Sequence, residues 1–296
     1  KNKPNFIIIG AMKAATTSLY TYLKQHPEVF MPSIKEPMFF NNLDQEDKLI
    51  LKGRKGKKIS TFKEYFSLFK NIKNEKAIGE ASPEYIYNSK CARLIKDHLP
   101  NVKIIAIIRQ PIDRAYSNYL HAKRADREPI SNFEFAFNSE EKRIKENWSP
   151  LYHYKSKGLY YTQLKRYYDL FPKEQIKVIL FEDIKKNPEK ITKEVFEYLD
   201  VDPKFIPDTS KIANISGIPK GLFGWIIMKL RKNNLIPNIE FSKYLPKLII
   251  RHIVKMIYST PNKVNTDLSK KLTQKHYKQD IIKTEKLICR DLKHWL

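Results

Sequence analysis

The chain has few of the features that mark a disulfide scaffold, a zinc site or a membrane protein. Its 296 residues include two cysteines, Cys91 and Cys289, with no CxxC pair and no cluster of cysteine and histidine. Neither a disulfide framework nor a structural zinc site is supported, and we expect no metal. The first apolar run, residues 6–9, is too short for a signal peptide or a membrane span. A later run, residues 245–257, is interrupted by basic residues and is typical of an amphipathic helix.

Acidic residues are scarce beside basic ones. The chain has 32 aspartates and glutamates against 56 lysines and arginines, so its formal net charge is +24. A protein with this positive charge attracts polyanions, anionic membranes and phosphorylated or sulfated small molecules. Specific nucleic-acid binding is not expected, because the basic residues are spread along the chain without a known nucleic-acid motif. A non-catalytic polyanion-binding module stays open as an alternative, with residues 52–58 as its best support.

Cellular location and assembly are weakly indicated. A cytoplasmic location is expected, since no targeting segment or membrane span is visible and the cysteines suit a reducing compartment. The chain begins with Lys1 rather than Met, so the removal of an upstream segment stays open. No pattern indicates an oligomeric state.

Short apolar runs rich in β-branched residues alternate with helical patterns. Continuous apolar runs such as residues 104–108 are typical of strands covered on both faces, as in parallel sheets. The alternation predicts an α/β fold with a central parallel sheet flanked by helices. The predicted strands are residues 6–9, 77–79, 103–108 and 176–181, and the predicted helices are residues 17–25, 89–98, 112–124, 133–147, 160–171, 188–199, 222–230, 245–257 and 268–292.

The first predicted strand is followed by a loop of small residues and then by a helix start rich in hydroxyls. Thr16, Thr17 and Ser18 stand at that start, and Lys13 places a cation inside the loop. Backbone N–H groups and the helix dipole make such a turn an anion site. An ordinary phosphate-binding loop has its lysine directly before the hydroxyl residue, whereas Lys13 comes three residues before Thr16. Simple helix capping is the alternative role of the hydroxyls.

A second candidate anion contact follows the strand predicted at residues 103–108. Arg109 ends that strand, Pro111 stands where a helix can begin, and Ser117 follows about two turns later. A guanidinium can bind a phosphate in bidentate fashion, and a serine hydroxyl can complete the contact. A structural ion pair is the alternative role of Arg109. The rival enzyme, a nucleoside or small-molecule kinase, would need a magnesium-binding aspartate at the end of this strand, where the chain has Arg109 instead.

Residues 13–19 and 109–117 together resemble the two nucleotide-binding segments of the sulfotransferase superfamily that uses 3′-phosphoadenosine 5′-phosphosulfate (PAPS). They are most similar to its bacterial and heparan-sulfate-type branches. The first segment matches K-x-G-T-T/S-x-L, which binds the 5′-phosphosulfate, and the second matches R-x-P-x-x-R-x-x-S, which binds the 3′-phosphate. Further similarities extend the resemblance over nearly the whole chain, at residues 35–40, 79–85, 158–160, 171–172 and 290–295.

The resemblance implies a P-loop-like three-layer sandwich, with a central parallel sheet flanked by helices. It further implies PAPS as co-substrate, its bisphosphate PAP as product and no metal. It also implies that Lys13 neutralises the bridging oxygen as the S–O bond breaks, in a reaction governed by position and electrostatics. Ala15 stands where the family usually has glycine, which alanine replaces without cost unless φ must be positive. The hypothesis that Lys220 closes over the nucleotide completes the expected contacts, which are Lys13, Ala14, Ala15, Thr16, Thr17, Ser18, Arg109, Ser117 and Lys220.

The acceptor side is less determined. The resemblance makes Glu36 the general base, and the apolar residues 38–40 beside it suggest that its carboxylate is partly desolvated. His121, one turn after Ser117, is the reserve base. Ser82 and Lys123 are further candidate acceptor contacts, with a solvated helix face as the alternative for Lys123.

These observations predict one enzyme domain over residues 1–296. It comprises a nucleotide-binding core at about 1–200 and a helical part at about 220–296. The predicted reaction is in-line transfer of a sulfuryl group from PAPS to a hydroxyl or amine of a small-molecule or glycan acceptor. The positive charge favours an anionic acceptor, and the choice between O- and N-sulfation stays open. The hypothesis requires Lys13 and Arg109 to share one cavity.

Overall fold

The computed structural model describes residues 3–43, 59–210, 218–219, 258–259 and 263–296. A five-stranded parallel sheet forms its centre, with the order β2-β3-β1-β4-β5 across the sheet. A separate antiparallel pair joins two further strands of two residues each. The strands are β1 (Phe6–Gly10), β2 (Val29–Phe30), β3 (Ala77–Ala81), β4 (Lys103–Ile108), β5 (Ile176–Leu180), β6 (Ile218–Pro219) and β7 (Tyr258–Ser259).

Helices cover the sheet on both sides and form the outer layers. The described helices are α1 (Thr16–Leu23), α2 (Phe39–Asn42), α3 (Phe62–Ser67), α4 (Cys91–His98), α5 (Pro111–Arg124), α6 (Phe133–Asn138), α7 (Glu140–Lys145), α8 (Tyr160–Tyr168), α9 (Phe181–Lys186), α10 (Pro188–Tyr198), α11 (Thr266–His276) and α12 (Lys278–Ile288). None of these described helices has the length and apolar character that a membrane crossing requires. The cytoplasmic location stays a prediction.

The two central strands form the middle of the core. All five residues of β1 are buried, and in β4 every residue after Lys103 is buried. Each fully buried isoleucine contributes about 1.5–3 kcal/mol to the free energy of folding. Continuous apolar runs are therefore most stable at the centre of a sheet that is covered on both faces. The predicted α/β sandwich with a central parallel sheet is confirmed.

The connections that leave β1 and β4 run toward opposite edges of the sheet. After β1 the chain passes to β2 and β3 on one side, whereas β5 lies on the other side of β4. In an open parallel sheet, this divergence creates a crevice outside the carboxyl ends of the two strands. Residues 11–15 and 109–110 begin at that crevice.

Several element boundaries differ from the sequence predictions. The helix predicted at residues 133–147 is broken into α6 and α7 at Ser139, whose hydroxyl donates to the carbonyl of Phe135 at 2.7 Å and so competes with the helical pattern. The helix predicted at residues 268–292 is likewise broken at Tyr277. The two-residue β2 and the short α2, α3 and α9 were not predicted, because they have too few residues for a periodic signal. Residues 52–58, 222–230, 245–257 and Lys220 lie outside the described residues.

Candidate active site

The loop between β1 and α1 has an unusual backbone. Lys13 and Ala15 adopt left-handed conformations, with φ of 69° and 66°. Ala15 is the N-cap of α1 and provides no side-chain acceptor, so the first N–H groups of α1 have no side-chain cap. The hypothesis that the hydroxyls serve only as caps is wrong. Alanine at position 15 was expected to replace glycine without cost only if φ is not positive. Because φ is positive, Ala15 is strained by roughly 1–2 kcal/mol relative to glycine.

Arg109 leaves the end of β4 and turns toward the same loop. Its Nη1 atom donates to the carbonyl oxygen of Lys13 at 3.3 Å, and its Cζ atom lies 4.4 Å from the ring centroid of Phe181. The Nε atom is buried and has no hydrogen-bond partner among the described residues. Burial lowers the pKa of the guanidinium. No ion pair of Arg109 occurs in the described part of the chain, so the structure gives no support to a purely structural ion pair.

Lys13 and Arg109 share one cavity of about 880 Å³. Pockets for small ligands are typically of this size. The requirement that the two side chains line the same cavity is therefore met. The lining also includes Ala15, Thr16, Thr17, Ser18 and Ser117.

Positive charge dominates the wall of this cavity. Burial, followed by the charge of Arg124, lowers the pKa of Lys13 from 10.5 to about 8. A dianion bound in the cavity would oppose this effect by stabilising the ammonium. Among the described residues, the cationic side chains of the lining are Lys13, Lys35, Arg109, Arg124 and Lys185, and its carboxylates are Glu36 and Glu84.

Glu36 lies at the cavity, next to the end of β3. Its backbone N–H donates to the carbonyl oxygen of Ala81 at 3.1 Å, and its carboxylate forms an ion pair with Lys35. The Glu36 side chain is 37% exposed. Residues 38–40 are buried in the core, and the carboxylate of Glu36 is partly exposed with a cationic partner, so the partial desolvation expected for it stays a prediction.

The desolvated carboxyl group in this region belongs to Glu80. Glu80 is fully buried, and burial raises its pKa from 4.5 to about 7. It accepts hydrogen bonds from Ser82 at 2.8 Å and from Tyr65 at 3.3 Å, while Ser82 in turn accepts from the N–H of Met38 at 3.0 Å. Ser82 is therefore buried and does not reach the cavity surface. Its hydroxyl links the carboxyl group of Glu80 to the backbone of Met38, two residues after Glu36. The predicted strand ended at residue 79, which had placed Glu80 in a turn.

The C-terminal half of α5 contributes His121 but not Lys123 to the cavity. The Nη2 atom of Arg124 approaches the Nδ1 atom of His121 at 3.3 Å, so Nδ1 is the acceptor. Burial and the charges of Lys13 and Arg124 lower the pKa of His121 to about 4. The ammonium of Lys123 donates to the carbonyl oxygen of Glu128 at 3.1 Å. The structure thus brings the two nucleotide segments together with Glu36 and His121. Among the described residues that were predicted for the site, Ala14, Ser82 and Lys123 do not line the cavity.

A family model described as the sulfotransferase domain matches residues 3–216. The chain belongs to the sulfotransferase family. The crystal structure of a sulfotransferase from Alicyclobacillus acidocaldarius has 31% sequence identity and a TM-score of 0.76, and the match covers 99% of this chain and 98% of that chain. The family and the P-loop-like fold predicted from the sequence are confirmed.

Curated relatives of this sulfotransferase are longer proteins. The membrane-associated sulfotransferase kil1 of Dictyostelium discoideum is 26% identical over 275 residues, which cover 67% of this chain and 56% of the relative. The bifunctional heparan sulfate N-deacetylase/N-sulfotransferase 4 of Mus musculus is 28% identical over 213 residues, which cover 68% of this chain and 23% of the relative. The match therefore spans about half of the first relative and about a quarter of the second.

Proposed function

We propose that this sulfotransferase transfers a sulfuryl group from PAPS to a hydroxyl or amine of a glycan or small-molecule acceptor. The observation that carries the proposal is the shared cavity, in which the Lys13 loop and Arg109 face one space. Their separate positions at the carboxyl ends of β1 and β4 suit a ligand with anionic groups at two ends. PAPS is such a ligand.

The donors at this site match the charge of a bisphosphorylated nucleotide. The start of α1 has N–H groups without a side-chain cap, and the buried Nε atom of Arg109 has no partner among the described residues. Phosphate and sulfate oxygens supply the missing acceptors. We assign the 5′-phosphosulfate to Lys13 and residues 15–18 and the 3′-phosphate to Arg109 and Ser117. When bound, PAPS supplies a sulfuryl group attached to a phosphate leaving group.

Lys13 and Glu36 are the proposed catalytic residues. The Lys13 ammonium places positive charge where a leaving phosphate gains negative charge. The carboxylate of Glu36 lies in the same cavity and accepts the proton that the acceptor hydroxyl or amine loses. His121, the alternative base, is unprotonated at neutral pH, but an imidazole with a pKa of about 4 binds a proton only weakly. We therefore favour Glu36.

An anionic acceptor fits the cavity better than a cationic one. Among the described residues, five cationic side chains and two carboxylates line the cavity, so its wall keeps a net positive charge. The mouse relative carries heparan sulfate in its name, which supports a glycan as the first acceptor class to examine. We also propose that residues 1–296 form one domain, since α11 and α12 pack against α5 and α8 of the core.

The test is incubation of the full chain with PAPS and a panel of acceptors, followed by mass spectrometry of the products. We expect the sulfuryl mass increment on at least one acceptor, with stoichiometric release of PAP. The Lys13→Ala variant is the control and should bind acceptor but produce no increment. Thermal stabilisation by ATP with magnesium but not by PAP would contradict the proposal and favour a kinase. Salt-sensitive heparin binding without PAPS binding would favour a polyanion-binding module.

A further inference from the structure

Tyr160, the first residue of α8, touches the backbone of Arg109 from behind the cavity. Its side chain is fully buried, and its hydroxyl donates to the carbonyl oxygen of Arg109 at 2.8 Å. The N–H of Arg109 approaches the same hydroxyl at 3.4 Å. One phenol therefore contacts both polar backbone groups of the residue assigned to the 3′-phosphate.

The position of Tyr160 is set by a residue from the C-terminal helices. The N-cap of α8 is Leu159, which has no side chain able to accept a hydrogen bond. Asp280 of α12 supplies the missing cap, because its two carboxylate oxygens accept from the N–H of Tyr161 at 3.2 and 3.3 Å. Thr284, one turn further along α12, donates to the same carboxylate at 3.3 Å. An acidic group at a helix start satisfies free N–H groups and complements the helix dipole.

The residue after Arg109 is held from the same side. The Oε1 atom of Gln110 caps α5 by accepting from the N–H of Asp113 at 2.8 Å. Its Nε2 atom donates to the hydroxyl of Thr273 on α11 at 2.9 Å. The strand-to-helix junction that carries Arg109 is thus tied to elements that belong to the last part of the chain.

We propose that Tyr160 is a positioning residue for recognition of the nucleotide 3′-phosphate, acting through the backbone of Arg109. The inference rests on the proposed function, in which Arg109 binds that phosphate. A bidentate guanidinium contact depends on the direction of the whole side chain, and that direction follows the orientation of the Arg109 peptide groups. Removal of the hydroxyl leaves a partly buried carbonyl without this partner and allows the junction to reorient.

The test compares two nucleotides that differ at the 3′ position. Binding of PAP and of adenosine 5′-monophosphate, which lacks only the 3′-phosphate, is measured by calorimetry for the wild type and for Tyr160→Phe. We expect PAP to bind about tenfold more weakly to the variant, as for loss of one buried hydrogen bond to the positioning group. Binding of adenosine 5′-monophosphate should change by less than about twofold.

Tyr277→Phe provides a matched control. Tyr277 is also fully buried, and its hydroxyl donates to a backbone carbonyl, that of Lys155, at 2.8 Å. It makes no hydrogen bond to Arg109 in the described part of the chain. This variant should keep the wild-type ratio of the two affinities, because it removes an equivalent bond elsewhere.

The outcomes separate failure of the inference from failure of the proposed function. A wild type that does not prefer PAP over adenosine 5′-monophosphate overturns the proposed role of Arg109 itself. A wild type that prefers PAP, together with a Tyr160→Phe variant that keeps the preference or weakens both ligands equally, overturns only the positioning role. If Tyr160→Phe does not fold, Asp280→Ala, which removes both oxygens that cap α8, decides by the same ratio: a reduced preference for PAP supports the inference, and an unchanged preference refutes it.

Discussion

Replacement of Ala15 by glycine tests the backbone geometry of the loop that follows β1. Ala15 has φ 66° and ψ 18°, a conformation in which the Cβ atom of an L-residue is crowded by roughly 1–2 kcal/mol. Glycine removes that crowding, but its greater conformational freedom in the unfolded chain lowers the free energy of unfolding by about 0.4–1 kcal/mol. Glycine is also a better N-cap than alanine. We therefore expect Ala15→Gly to raise the free energy of unfolding by about 0.5–1 kcal/mol.

Ala14→Gly is the control for this measurement. Ala14 is fully buried and is not among the residues with positive φ, so glycine there loses a buried methyl group and adds freedom to the unfolded chain. We expect it to lower the free energy of unfolding by about 1–2 kcal/mol. Urea unfolding of both variants and the wild type, followed by circular dichroism, gives the comparison. Destabilisation by Ala15→Gly of the same size as that by Ala14→Gly would refute the left-handed assignment and the strain argument with it.

Three other predictions concern ionisable groups of the site. Because the pKa of Lys13 is about 8, we expect PAP binding to weaken as the pH rises through that value, measured by calorimetry between about pH 6.5 and pH 9.5; a Lys13→Arg variant should lose this dependence. Glu36→Gln should lower the rate of transfer by about 10²–10⁴-fold with unchanged PAP affinity, and an unchanged rate would move the base to His121. Glu80 has a folded-state pKa of about 7, above its ordinary 4.5, so its contribution to stability is fully present below about pH 4.5 and is lost as the pH rises to 7. Relative to Glu80→Gln, the wild type should therefore lose roughly 3 kcal/mol of unfolding free energy across that window, and parallel pH profiles would contradict the burial argument.

Local sequence patterns were sufficient where one short segment carries the whole signal. The β4 strand was predicted with its observed bounds, because a continuous apolar run ends at a charged residue on each side. The loop with Lys13 and the junction with Arg109 were predicted as anion sites from the chemistry of neighbouring residues. The topology rule for parallel sheets then placed both at one edge, which the structure confirms.

Longer-range relations were decided only by the tertiary structure. The burial of Glu80, the exposure of Glu36 and the positive φ of Ala15 depend on what packs around each residue, which no local pattern specifies. The contact of Tyr160 with Arg109 spans 51 residues, and the cap that Asp280 provides to α8 spans 119. Hydrogen bonds between such distant residues leave no periodic or compositional trace in the chain, since each partner meets the other only after the sheet and its helices have packed.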